Sequence, residues 1–323
     1  MGKIGITTSV PVEAIFAAGH VPVDLNNVFI TSPDRKKYLD KAESAGLPAT
    51  TCAWIKGIYG AASECGVEAV VGVLGGDCSN TRALTEIWRY EGLETIPFAY
   101  PYERTRAELS RELERFCAHL GTTVEAAEEW KTLLDAPRAL AREIDLITWR
   151  DGLVTGRENH LQLVSASDFN GDPEAYAKGA RAFISEARAR APMNQDIRLG
   201  YIGVPTILDG LYEFLEERGA RVVFNETQRQ FSLPYPELDL TDAYLAFTYP
   251  YDVFARIEDI RAEIARRGIS GIIHYVQSFC FRQMEDLILR KSLGVPVLTL
   301  EGDKPGPIDG RTSTRLESFL EML

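Results

Sequence analysis

The chain has 323 residues, a length that suits two domains better than one compact core. Its formal charge of −12 argues against nucleic acid, whose phosphates need clustered Lys and Arg. No apolar run reaches the ~18 residues of a spanning helix, and the N-terminus lacks a secretory signal, so a cytoplasmic protein without a membrane partner is expected.

In chain order, KIGITT (3–8) reads as a strand, VEAIFAAG (12–19) as a helix opened by Pro11 and closed by Gly19, and VPVDL (21–25) as a second strand. A helix over about 52–66 leads to the Val-rich strand EAVVGVL (68–74). A helix near 81–91 and the strand TIPFAY (95–100) follow. Strands alternating with helices imply parallel pairing. From Arg104 to about Arg190 the texture becomes helical and charge-laced, with apolar residues three and four apart. A second α/β stretch opens at IRLGYIG (197–203). It continues through a helix at 208–219, the strand ARVVF (220–224), a helix at 258–268 and the strand GIIHYV (271–276). The expected fold is α/β, with two doubly wound, flavodoxin- or Rossmann-like parallel-sheet domains and a helical connector. The first domain spans 1–100, the connector 101–195, and the second domain with its C-terminal helix 196–323.

Several chemistries lack their motifs. There is no Gly-x-Gly-x-x-Gly, no phosphate-binding Gly-x-x-x-x-Gly-Lys loop, no Gly-x-Ser-x-Gly elbow and no His-Glu-x-x-His. Nor is there Cys-x-x-Cys, so neither a zinc knuckle nor a dithiol is expected. Any ATP-driven step must come from a partner.

Five cysteines at wide spacing suit reduced thiols or metal ligands better than disulfides. Cys78 follows the strand EAVVGVL through Gly75-Gly76-Asp77, and Cys280 follows GIIHYV through Gln277-Ser278-Phe279. Both thus lie beyond the carboxyl ends of parallel strands, where open α/β sheets bind ligands. Cys52 immediately precedes a helix that Thr50 or Thr51 can cap, and helix amides there favour a thiolate. Three thiolates could hold an iron–sulfur cubane with one iron open to substrate. The alternative is that all five cysteines are small buried hydrophobes, the reading kept for Cys65 and Cys117 inside helices. A fourth ligand, if present, would come from Glu13, Asp77 or a partner chain.

Other residues are weighed at the same sheet edge. Glu13 could move a substrate proton or simply stabilise its helix dipole. Ser9 and Asn80 are possible polar linings. Lys56, one turn after Cys52, could offset cluster charge. His274 reads as packed within its strand, and Tyr249-Pro250-Tyr251 as an aromatic turn.

Motifs spread over nearly the whole chain carry a resemblance. They are Pro11 and Glu13 with Gly19 and Pro22; Thr51-Cys52 with Lys56 and Gly60; Gly76-Asp77-Cys78; Ser278-Phe279-Cys280; and the closing segments 295–303 and 311–323. In this order they resemble the 2-hydroxyacyl-CoA dehydratase and benzoyl-CoA reductase family, in its D-component type. The resemblance implies one [4Fe-4S] cluster on Cys52, Cys78 and Cys280, lying between the two domains, with a non-cysteine fourth site. It also implies a separate ATP-dependent iron–sulfur activator that delivers one electron, and a homodimer or a paralogous second subunit. The substrate would be an acyl-CoA, passing through a ketyl radical to lose a 2-hydroxyl group or be reduced. Five cysteines disfavour the double cubane of one family branch. Two other functions stay open: a stand-alone homodimeric iron–sulfur reductase of small molecules that uses no coenzyme A, and a non-catalytic cluster-holding subunit. Arg157, Arg229 and Arg282 are the candidates for clasping coenzyme A phosphates.

Overall fold

The computed structural model describes residues 2–194 and 196–323. Met1 and Gln195, outer residues of the expected first domain and connector, lie outside the described residues.

Strands β1 (Lys3–Ile6), β2 (Val21–Asp24), β3 (Ala69–Gly75) and β4 (Glu94–Ala99) pair in parallel in the order β2-β1-β3-β4. Pro11 occupies the capping position of the helix Val12–Ala17, and Gly19, at a φ of 77°, ends it. β3 is buried along Ala69–Val73, which accounts for its unbroken apolar run. The helix Ala53–Cys65 then packs on the helix Lys36–Ser44. Gly60 makes that approach possible, since a β-carbon there would stand 2.5 Å from the Tyr38 carbonyl oxygen.

The second sheet has the same plan. Of β5 (Ile197–Gly203), β6 (Leu208–Asp209), β7 (Ala220–Asn225), β8 (Gly271–Gln277), β9 (Val297–Gly302) and β10 (Gly306–Pro307), the four long strands pair in parallel as β7-β5-β8-β9. In each sheet the strand order by appearance is second, first, third, fourth. The topology therefore reverses between β1 and β3, and again between β5 and β8. The chain is an α/β protein of doubly wound parallel sheets. Its second core joins Ile202, Val223, Phe224 and Ile272 to Ile257, Ile260 and Leu289 of the helices Val253–Arg267 and Asp286–Ser292. One expected helix, 208–219, begins only at Leu211, because Gly210 turns left-handed and Leu208–Asp209 pairs with β10.

The chain forms two compact units that are interleaved in sequence. Unit 1 comprises Met1–Arg138, Ser165–Ala177 and Leu233–Asp252; unit 2 comprises Ala139–Val164, Lys178–Ser232 and Val253–Leu323. The charge-laced stretch forms the helices Arg106–Leu120, Val124–Trp149, Gly156–Val164 and Pro173–Arg188, and its residues are divided between the units. No described helix is long and apolar enough to cross a membrane.

Candidate functional site

In unit 1, β1 runs into Thr7-Thr8-Ser9. The Thr7 hydroxyl accepts the Val73 N–H at 3.2 Å, tying the two strands between which the topology reverses. The next residues are held from outside by tyrosines. The Tyr100 hydroxyl donates to the Ser9 carbonyl at 2.9 Å. The Tyr244 hydroxyl lies 2.9 Å from Glu13 Oε2 and 3.0 Å from the Val10 carbonyl oxygen. Burial first, then the Glu13 charge, push the Tyr244 phenol well above its usual range, so it remains a donor. Glu13 itself is fully buried, with Arg138 Nη1 2.6 Å from Oε1.

Cys52 and Cys78 each stand at a helix start. Cys52, rather than Thr50 or Thr51, occupies the capping position of Ala53–Cys65 and is buried. Cys78 caps Ser79–Tyr90, and its sulfur accepts the Asn80 N–H at 3.4 Å. Burial pushes this thiol up, and the helix amides offset part of the rise. Asp77 braces the turn, taking the Cys78 N–H at 2.7 Å and the Thr81 hydroxyl at 3.0 Å. The helices begun by Cys52 and Cys78 pack together. Cys65 closes its helix, and Cys117 is buried in Arg106–Leu120 with its thiol pushed up to about 11.

In unit 2, β8 ends at Gln277 and turns through Ser278-Phe279 into Cys280, whose N–H returns to the Gln277 carbonyl at 3.0 Å. Cys280 begins the 3₁₀ helix Phe281–Glu285. Phe279 sits in this turn at a φ of 68°, a position that glycine fills without strain, with its ring 64% exposed. Among the described residues no three His, Cys, Asp or Glu side chains gather closely enough to hold an ion by themselves. Cys52 and Cys78 belong to unit 1, and Cys280 to unit 2. The donor set still suits iron–sulfur chemistry: three cysteines outside any disulfide, each at the first turn of a helix.

A family model described as the D-component of 2-hydroxyglutaryl-CoA dehydratase matches residues 7–323. The chain belongs to this family. A search of curated proteins gave no match.

Several residues of this D-component-type chain are engaged in ways that its sequence does not reveal. Lys56 is buried, with its ammonium 2.6 Å from Glu43 and 2.9 Å from the Ala49 carbonyl, so Glu43 neutralises it. Arg229 is buried against Asp259, and Arg282 against Glu285 at 3.0 Å, while Arg157 is exposed beside Glu213. The three arginines do not form one free cationic rim. His274 is buried as expected, bound to Asp286 at 2.8 Å, and Tyr251 packs edge-on to Tyr100.

Sequence reasoning missed two buried groups at the same sheet edges. At the end of β2, Asp24 donates its N–H to Asp168 Oδ2 at 2.6 Å and accepts the Ser167 hydroxyl at 2.6 Å. Burial, and then the Asp24 charge, push Asp168 up to about 7. At the end of β7, Glu226 and Arg256 form a fully buried pair. Their partners lie about 140 and 30 residues away in sequence, which no local motif signals.

Proposed function

We propose that the chain is the iron–sulfur component of a 2-hydroxyacyl-CoA dehydratase-like enzyme, with Cys52, Cys78 and Cys280 as thiolate ligands of one [4Fe-4S] cluster. The reaction is a radical dehydration or reduction of an acyl-CoA thioester, begun by one electron from a separate ATP-dependent activator, with the chain paired to itself or to a paralogue. One observation carries this reading. Cys78 and Cys280 each stand three residues past the third strand of their sheet, beside the topological reversal, and each begins the next helix. Family membership over residues 7–323 agrees with it.

When bound, such a cluster supplies a low-potential electron and, at an iron without a cysteine, a Lewis acid for a carbonyl oxygen. The chain's own residues position and enclose. Tyr100 and Tyr244 pin the Ser9–Glu13 segment by its carbonyls, and Glu13, paired with Arg138, accepts the Tyr244 hydroxyl. In this reading Ser9 presents a hydroxyl at the sheet edge, and Glu13 holds the helix start behind it. Asp77 holds the Cys78 turn.

A second reading, a reductase of small molecules without coenzyme A, is favoured by the arginines: Arg229 and Arg282 are committed to buried ion pairs. Anaerobic reconstitution followed by iron counting and paramagnetic resonance, with and without a 2-hydroxyacyl-CoA, tests both. A spectrum perturbed by the thioester supports the first reading, and one perturbed only by small acids the second. A chain that takes up no iron overturns both.

A further inference from the structure

The turn that bears Cys280 is tied into unit 2 by a ladder of four charges. Glu226, the first residue after Asn225 of β7, is fully buried and meets Arg256 through two bonds: Nε to Oε1 at 2.8 Å and Nη2 to Oε2 at 3.0 Å. The remaining arm of Arg256, Nη1, reaches Glu285. Glu285 closes the 3₁₀ helix that Cys280 begins, and its other oxygen takes Arg282 at 3.0 Å. Glu226 Oε2 also accepts the N–H of Gly203, the last residue of β5, at 2.9 Å, while the Thr227 hydroxyl donates to the Gly203 carbonyl at 2.9 Å.

Gly203 shows how closely this corner is fitted. Its φ is 97°, and a β-carbon there would stand 2.2 Å from the Tyr275 carbonyl oxygen of β8. Only glycine lets the β5 amide turn toward Glu226 so close to its neighbouring strand. Burial disfavours the Glu226 carboxylate, but Arg256, joined by the Gly203 amide, holds it below its usual range, so the pair stays charged.

A buried ion pair is weak evidence for stability, because apolar residues of similar volume often serve as well. What a guanidinium adds is a planar fork with fixed directions. Here two arms grip one carboxylate and the third grips another, which joins the carboxyl ends of β7 and β5 to the segment after β8.

We propose that Arg256 is a positioning residue for Cys280: its single guanidinium sets where the Cys280 turn stands at the sheet edge. The consequence for iron binding rests on the function proposed above; the consequence for the turn does not.

The test uses the full chain with two variants. Arg256→Lys keeps the charge and loses the fork. Glu285→Gln leaves the Glu226–Arg256 pair whole and takes the charge and one of the two acceptor oxygens from the link to the turn. Amide exchange of residues 278–286, measured in iron-free protein, should quicken roughly tenfold or more in both, with the β8 amides of 272–276 unchanged. Iron held after anaerobic reconstitution should fall below half of the wild-type value in both. If Arg256→Lys fails to fold, Glu285→Gln decides alone. Unchanged exchange in the turn, with wild-type iron content and only a lower melting temperature, would make the ladder structural and overturn the proposal. Faster exchange in variants of a wild type that binds no iron would sustain the positioning role and defeat the cluster reading instead.

Discussion

Cys78 and Cys280 occupy corresponding places: each lies three residues beyond the third strand of its own sheet, and each is the residue from which the next helix starts. The equivalence is geometric, because the intervening turns differ, Gly76-Asp77 breaking in one and Ser278-Phe279 in the other. Replacing either by Ser should lower the iron held after reconstitution by more than half. Cys117→Ala, deep in a helix of unit 1, should leave iron content at the wild-type level. Iron loss in Cys117→Ala equal to that in Cys78→Ser would remove the distinction.

Glu13→Gln should be costly to the fold. It leaves Arg138 charged and buried opposite an amide, and breaking a buried pair from one side costs about 3–5 kcal/mol. Urea unfolding should show that loss, and the double change Glu13→Gln with Arg138→Met should recover part of it. A Glu13→Gln protein as stable as the wild type but with reduced turnover would instead give Glu13 a direct chemical role.

The Asp24–Asp168 contact makes a pH dependence. Burial, then Asp24, raise Asp168 to about 7 from the ordinary carboxyl value of 3.8. Between those values the folded protein holds a proton that the unfolded chain has released, so the contribution of Asp168 to stability falls as pH rises from about 4 to 7. Asp24→Asn removes the neighbouring charge while leaving an oxygen for the Asn26 amide. Its unfolding free energy should therefore decline less over that range. Denaturation curves at pH 5 and pH 7.5 that shift equally in both proteins would contradict this.

Phe279 gives a prediction with little packing to confuse it, since its ring is mostly exposed. Phe279→Gly should match the wild type to within about 1 kcal/mol, relief of the left-handed backbone being offset by the freedom glycine has when unfolded. Phe279→Ile should lose about 1–2 kcal/mol, because a β-branched residue fits that conformation poorly. Equal stability of the Gly and Ile variants would deny the strain.

The strands were readable because each carries its own signal: IRLGYIG becomes β5 at the residues expected, and GIIHYV becomes β8 with one residue added. The third-strand cysteines were readable for the same reason, their strand ends lying three residues away. Shorter elements were not. The helices Leu25–Thr31 and Leu240–Ala246 have only seven residues each, too few for a periodicity to stand out. The fates of Lys56, Arg229 and Glu226 were hidden because charge in a sequence does not show burial. Their partners Glu43, Asp259 and Arg256 come from other elements, brought close only by the fold.

The interleaving of the two units bears on how the chain is made. A nascent chain that has emerged as far as Arg138 holds all four strands of the first sheet but lacks Ser165–Ala177 and Leu233–Asp252, and with them Asp168 and Tyr244. Asp24 then waits about 30 more residues for Asp168, and Glu13, which already has Arg138, waits about 100 more for Tyr244. At a translation rate of about 5–20 residues per second the longer wait lasts some 5–20 seconds, during which polar groups destined for the interior stay wet. Neither unit can be produced by cutting the gene once. Contacts so distant along the chain also place it among slow folders, for which synthesis and folding overlap in time.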